Sequence, residues 1–285
     1  MDLLLEQVVI GLVSGAVLVL LALGLNLILG FMEVVNFAHG ALYMLGAYVG
    51  VYLLEITGNF WWALFLVPIG MLAIGALLER SLIRPLYPRG QEDGLLLTFG
   101  LTYVLTEGVR QIAGAGGKTI NPPAELSSQV PLGPISFPSY LVFVVVLVAA
   151  IVAGLHHLLR RTDLGLVIRA GVRDNLMVRA LGISFDRYRI VVFGLGVALA
   201  GLAGVLTAPV TGVYPEMGTD ILVTAFVVVV VGGLGSFWGA VVSGLLIGQA
   251  VSITTFYGSI YAGIAPFVLM ILIMAFRPRG LMGAV

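Results

Sequence analysis

The sequence predicts an all-α polytopic membrane protein of eight or nine transmembrane helices, some of them broken or re-entrant. Three observations predict it. Of 285 residues, 60% are apolar and only 10% charged, and mean hydropathy is +1.13; a soluble domain is nearer half apolar and a quarter charged. The charges are clumped, so that residues 7–32, 34–54, 56–78, 126–159, 190–215 and 221–276 carry none. Stretches such as 141–154 show no alternation of the kind a β-barrel needs. About 30 Å of hydrocarbon takes about 20 helical residues to cross, and backbone polar groups in lipid must be satisfied within the segment.

The elements follow in order. The first span, 8–31, is preceded by Asp2 and Glu6 and no basic residue, and its apolar stretch is too long for a signal peptide. The second, 34–55, opens near Asn36 with an irregular start. The third covers 60–80. The fourth, 94–113, carries Glu107 and Arg110 at i, i+3 spacing, an ion pair near the outer interface. The fifth, 140–160, ends in His156, His157 and Arg160. The sixth covers 190–212. The seventh, 221–235, is short and ends in Gly232-Gly233-Leu234-Gly235, which marks it as broken or re-entrant. The last two cover 237–256 and 260–276. Small residues recur at helical spacing (Gly11 and Gly15, Gly46 and Gly50, Gly244 and Gly248, Gly201 and Gly204). They suit close helix packing in lipid, where no hydrophobic drive exists between helices.

Arginines set the orientation. Arg80, Arg84 and Arg89 share one short connection, seven arginines crowd 160–189, and Arg277 and Arg279 close the chain. These regions are expected in the cytoplasm. The connections near 57–59, 213–220 and 257–259 lack Lys and Arg, and 114–139 has only Lys118. They are expected outside, which with nine crossings puts the N-terminus outside.

Much chemistry is excluded. Fourteen basic residues balance fourteen acidic ones, so no basic surface invites nucleic acid. No cysteine is present, which removes disulfides, Cys-ligated metals and thiol catalysis. Gly116-Gly117-Lys118-Thr119 is not a phosphate loop, because Ile112 stands where the first glycine is required. His156 and His157 point about 100° apart on a helix and have no carboxylate one turn away. No hydrolase elbow or metalloprotease motif occurs. Glu107 and Glu33 do not form a midplane relay of the kind an ion-driven carrier uses. Energy for pumping then comes from a partner.

Residues 160–189 form a cytoplasmic loop within a single transmembrane domain, 1–285. The loop carries an expected short helix over 172–181. Leu176, Met177, Val178 and Leu181 give it an apolar face, and Arg173, Asp174 and Arg179 its polar groups. Gly182 ends it, and the whole suits docking against a protein.

Several strings make the chain recognisable. They are Asn36-Phe37-Ala38-His39-Gly40 with Met44, Gly46, Ala47 and Tyr48; Arg169-Ala170; Asp174-Asn175; Ala180-Leu181-Gly182-Ile183; Ala203-Gly204-Val205-Leu206; Pro215 and Gly218; Ala225-Phe226; Gly232-Gly233-Leu234-Gly235-Ser236; Gly239-Ala240; and Pro278-Arg279-Gly280-Leu281. In this order the chain resembles the LivH-like permease subunits of branched-chain amino acid ABC importers, within the LivH/LivM group. One departure is Ala41, where many relatives carry an acidic residue; whatever that acid does there is not carried over.

The resemblance implies a second, LivM-like permease subunit, two cytoplasmic ATPase subunits that bind ATP and Mg²⁺, and a periplasmic solute-binding protein, in a bacterial inner membrane. This chain itself then holds no cofactor. The loop helix then looks like the segment that couples to an ATPase, with Arg169, Arg173, Asp174, Asn175, Ala180 and Gly182 as its residues. The translocation pathway is assigned to the irregular elements, Asn36, Phe37, His39 and Gly40 in one and Gly232, Gly233, Gly235 and Ser236 in the other. Irregular backbone at membrane depth persists only where protein or water satisfies it. His39 has two readings, solute contact and a side-chain bond to backbone that holds a bend. Gly40-Ala41 and Gly239-Ala240 hint weakly at an internal repeat. The expected solutes are leucine, isoleucine and valine, with urea, short amides or aromatic acids as alternatives on the same machinery. A stand-alone channel or ion-coupled carrier is the alternative of another class.

Overall fold

A computed structural model describes residues 2–132 and 135–283. Eleven α-helices account for about three quarters of the described residues: α1 (Asp2–Met32), α2 (Ala38–Thr57), α3 (Phe60–Leu78), α4 (Gln91–Ala113), α5 (Ser139–Arg161), α6 (Asp163–Arg173), α7 (Asn175–Ala180), α8 (Phe185–Thr211), α9 (Met217–Gly232), α10 (Phe237–Tyr257) and α11 (Ser259–Phe276). Each of the nine sequence-predicted spans is a helix. Six helical segments, α1, α2, α3 with its extension to Leu86, α5, α8 and α10, are long and apolar enough to cross a membrane, while α9 and α11 are shorter apolar helices. The 23-residue α4 falls outside that group because Glu92, Asp93, Glu107 and Arg110 dilute its apolar face. The connection 114–139 is not wholly irregular, since Gln129–Leu132 (β1) pairs antiparallel with Ile135–Pro138 (β2).

The core is built on α1 and α8. The middle of α1, from Val19 to Leu25, is almost completely buried. Glycines let its neighbours approach to backbone contact: Gly15 lies against Gly248 of α10, and Gly24 against Gly196 of α8. Farther along, Phe31 of α1 stacks on Phe185 of α8 at 4.9 Å, so α1 and α8 run antiparallel. The helices pair in a two-fold pattern. Helix α10 packs along α1 as α3 packs along α8, and α4 covers α2 as α11 covers α9. Units α1–α4 and α8–α11 thus correspond with opposite direction, the inverted arrangement of many transporters. This corrects the repeat expected from sequence, which matched α2 with α10. The true counterpart of α2 is α9, whose sequence keeps none of the Gly-Ala signal. Helix α5 stands outside both units and is tied to α8 by the Tyr140 hydroxyl, which donates to the Leu206 carbonyl at 2.8 Å.

The arginine-rich regions lie together in the packing. Arg84 pairs with Asp186, joining the first basic connection to the second. The C-terminal tail lies against the α9–α10 turn, where the Leu281 and Met282 amides donate to the Val231 and Gly232 carbonyls. All three arginine-rich regions therefore gather at the end where α1 finishes. At the opposite end Lys118 bonds Glu55 at 2.8 Å and its backbone bridges to Val213. The Glu55 partner, more than any other cause, holds the Lys118 ammonium above its usual value.

Candidate functional site

The first irregular element begins where α1 ends. Glu33 has φ +56, a left-handed turn that reverses the chain. Residues 33–37 are not helical, so α2 starts at Ala38, four residues later than the sequence predicts. His39 then lies beside Leu21, eleven residues and about 16 Å back along α1. The chain has climbed from the arginine-rich end to the middle of α1 before α2 begins. Thr98 of α4, fully buried, satisfies this stretch: its hydroxyl accepts from the Phe37 amide and lies 3.2 Å from the Val35 carbonyl.

His39 is itself fully buried, and its Nε2 donates to the Leu21 carbonyl at 3.1 Å. This is a side-chain bond to backbone beside the bend, while the other ring nitrogen, Nδ1, is buried without a hydrogen-bond partner among the described residues. Asn36 is also fully buried, and its side-chain oxygen and nitrogen have no hydrogen-bond partner among the described residues.

The mirror-image break follows α8. Residues 212–216 lead inward, and α9 starts with Gly218 against Gly40. A Cβ on Gly40 would lie 2.1 Å from the Gly218 carbonyl. Two helix N-termini thus meet head to head within the protein. Phe37 packs on Phe226 of α9 at 5.3 Å and edge-on to Phe99 of α4 at 6.4 Å, and Phe99 continues to the exposed Tyr103. Arg110 bridges Glu107 and Glu216 above this point.

The second sequence-predicted cluster lies elsewhere. Helix α9 is unbroken through Gly232, and Gly232, Gly233, Gly235 and Ser236 form the turn into α10 at the arginine-rich end. The break expected at the end of the seventh span is instead at its start. Asn26 of α1 closes the turn, its amide nitrogen donating to the Ser236 carbonyl at 2.9 Å and its oxygen accepting from the Gly235 amide at 2.7 Å. Ser236 caps α10 through the Gly239 amide at 3.1 Å. The structure does not bring the two clusters together. It brings Gly40 to Gly218, a residue whose role the sequence did not single out.

The loop between α5 and α8 differs from its expected form as well. The helix expected over 172–181 is divided at Asp174 into α6 and α7. Asp174 caps α7, its Oδ1 accepting from the Met177 amide at 2.9 Å. Gly182, at φ +78, ends the segment as the sequence indicates. Leu176 is 81% exposed, and Met177, Ala180 and Leu181 are also exposed, while Val178 is buried and anchors the helix. Arg169 bonds the Leu159 carbonyl and ties α6 back to α5. The side chains of Arg173 and Asn175 lie outside the described residues.

Sequence reasoning missed a buried carboxylate. Glu79 opens a π-helical turn, Glu79–Ile83, at the end of α3, is wholly buried and accepts from the Tyr87 hydroxyl at 2.9 Å. Burial first, and the Glu79 carboxylate second, push the Tyr87 phenol up. Position 79 reads as an ordinary helix-end charge, and only the tertiary fold covers it.

The model of the branched-chain amino acid transport system permease component family matches residues 7–274. The chain belongs to this permease family. Its relatives include the high-affinity branched-chain amino acid transport system permease protein BraD of Pseudomonas aeruginosa, 32% identical over 98% of this chain and 95% of the relative. The LivH protein of the same description from Escherichia coli K12 is 30% identical over the same shares. LivM of Salmonella typhimurium is 28% identical over 93% of this chain and 67% of its own length. No solved structure matches. The permease family thus accounts for the multi-pass architecture from α1 to α11, and this permease chain resembles both LivH-type and LivM-type proteins.

Proposed function

We propose that the chain is the membrane-spanning permease subunit of an ATP-binding-cassette importer for leucine, isoleucine and valine in a bacterial inner membrane. Two ATPase subunits would bind ATP and Mg²⁺ on the cytoplasmic side, a LivM-like subunit would complete the pathway, and a periplasmic binding protein would deliver the solute. The observation that carries the reading is α7. It holds an apolar face out to water on the arginine-rich side, capped by Asp174 and stopped by Gly182, in a chain whose sequence carries no nucleotide-binding motif.

In this reading the ATPase grips α7, and its closure moves α6 and α7 against the start of α8. Packed helices pass on the displacement as a switch between two arrangements. The head-to-head starts of α2 and α9, with Asn36, Phe37, His39 and Gly40, form the mobile centre of the pathway. The Gly232–Ser236 turn lets α9 and α10 move as one with α1.

The test is co-purification with the ATPase subunits, followed by ATP-dependent uptake of labelled leucine and urea in liposomes supplied with binding protein. ATP-dependent leucine uptake is expected. Urea uptake alone would overturn the solute and keep the machinery. Uptake by this chain without ATPase subunits would overturn the importer reading in favour of a channel or carrier.

A further inference from the structure

A cavity of about 190 Å³ lies at the arginine-rich end beneath the break before α2. Glu33 contributes from the reversal after α1, Tyr87 from the turn after the π-helical segment, Gln91 and Gly94 from α4, and Arg189 from α8. Gly94 stands one helical turn before Thr98 on the same face of α4. Because Thr98 holds Val35 and Phe37, the cavity leads towards the foot of the α2 break. The remaining wall is apolar, including Met32, Ile83 and Leu86.

The two charged groups in this wall differ in sign and come from different elements. The Arg189 side chain is only 12% exposed. Its guanidinium lies over the Tyr87 ring at 4.1 Å and the Phe185 ring at 4.9 Å, and 3.9 Å from an Asp186 oxygen. Its Nε is buried and has no hydrogen-bond partner among the described residues. The guanidinium lines the cavity while packed on aromatic faces, and its terminal nitrogens are placed to take a carboxylate. Glu33 is exposed and sits in a left-handed backbone conformation that non-glycine residues seldom adopt; such strain is retained where the surroundings demand it and concentrates at functional sites.

We infer that this cavity is a binding subsite for a free zwitterionic amino acid with an apolar side chain. Arg189 takes the α-carboxylate, Glu33 the α-ammonium, and Met32, Ile83 and Leu86 the side chain. The inference rests on the transport reading above and places the solute's last stop on the cytoplasmic side. The cavity, about 190 Å³, has room for a small solute.

The chain contains no cysteine, so Gln91→Cys, an exposed position on the cavity wall, gives this subunit a single labelling site. The experiment follows maleimide modification of that position in the assembled complex in detergent. Leucine is expected to slow labelling about sixfold at about five times its Kd, from the factor 1 + [L]/Kd. Isoamylamine, which lacks the carboxylate, and 4-methylpentanoate, which lacks the ammonium, are expected to protect far less. Arg189→Ala is expected to abolish protection by leucine. Because that side chain also packs on two rings, Glu33→Gln provides an independent loss, and the two analogues need no further substitution. Absence of protection by leucine would overturn the inference. Equal protection by 4-methylpentanoate would overturn it in favour of a plain anion site, filled by phosphate or a lipid headgroup. Leucine uptake by the unsubstituted complex is measured alongside. Uptake without protection would remove only this subsite, whereas absence of leucine uptake would count against the transport reading.

Discussion

Replacing Gly46 with alanine tests whether the backbone contact between α2 and α8 holds the core together. An alanine Cβ there would sit 2.3 Å from the Gly201 Cα and 2.7 Å from its carbonyl oxygen. Carbon atoms rest at about 3.5 Å or more, so the helices must part locally by about 1.2 Å. A gap of that size forfeits a quarter to a half or more of the dispersion energy along the seam. No rotamer change relieves the clash, because both obstructing atoms are backbone. Helix α8 cannot retreat either, since Gly201 is backed by Met71 of α3, whose Cγ would lie 2.5 Å from a Cβ on Gly201. Ordinary overpacking costs about 1–3 kcal/mol, and this site belongs at the upper end, about 3 kcal/mol. Gly70 in α3 is the control: it has nothing within 4 Å of an added Cβ, so Gly70→Ala is expected to be neutral or stabilising by up to about 1 kcal/mol through helix propensity. The assay is reversible unfolding of the purified chain in mixed micelles of rising SDS fraction. A double-mutant cycle with Met71→Ala adds a second reading, with a coupling of about 0.5–3 kcal/mol expected because the methionine prevents α8 from yielding. If Gly46→Ala costs no more than Gly70→Ala, the close-approach argument is refuted.

Three further outcomes are expected. Asn26→Leu removes both side-chain bonds to the α9–α10 turn and is expected to cost about 1–2 kcal/mol in the same assay, because water reaches the exposed turn and softens the loss; no change in the unfolding midpoint would contradict the bracing role. Lys118→Met is expected to cost less than about 1 kcal/mol near pH 8, since the Glu55 pair is solvent-exposed. With its folded value raised, the lysine contributes fully below its ordinary value of about 10.4, and the difference between variant and parent fades as pH rises through the folded value; a difference that grows at high pH would reverse the sign. Asp174→Arg removes the α7 cap and Gly182→Trp strains a left-handed backbone, so each is expected to lower stability by about 0.5–2 kcal/mol without unfolding the spans, while severing ATP hydrolysis from solute uptake in the reconstituted complex; normal uptake in both would sink the coupling role.

The sequence by itself determined the helical membrane class, the nine apolar helices and the grouping of the arginines in three connections. Those properties follow from the one-dimensional placement of charge against lipid. It also marked Gly182 and the exposed face of Leu176, Met177 and Leu181, because a positive-φ glycine and an apolar run between charges leave local signatures. Only the tertiary structure decided where the spans break. An irregular start near Asn36 is legible in the sequence, but residues 212–216 read as an ordinary connection, and both are held between helices by Thr98, His39 and Gly218, which supply hydrogen bonds or close contact. The division of the loop helix at Asp174 is local in cause, but the aspartate serves equally well as a helix-face charge or as a cap, and packing selects the cap. The inverted pairing of α2 with α9 left no sequence match, since the pattern repeats in helix direction and contact and not in residue identity. Glu79 and Arg189 show the same limit most plainly: a charge near a helix end is expected to reach water, and the surrounding helices bury it instead.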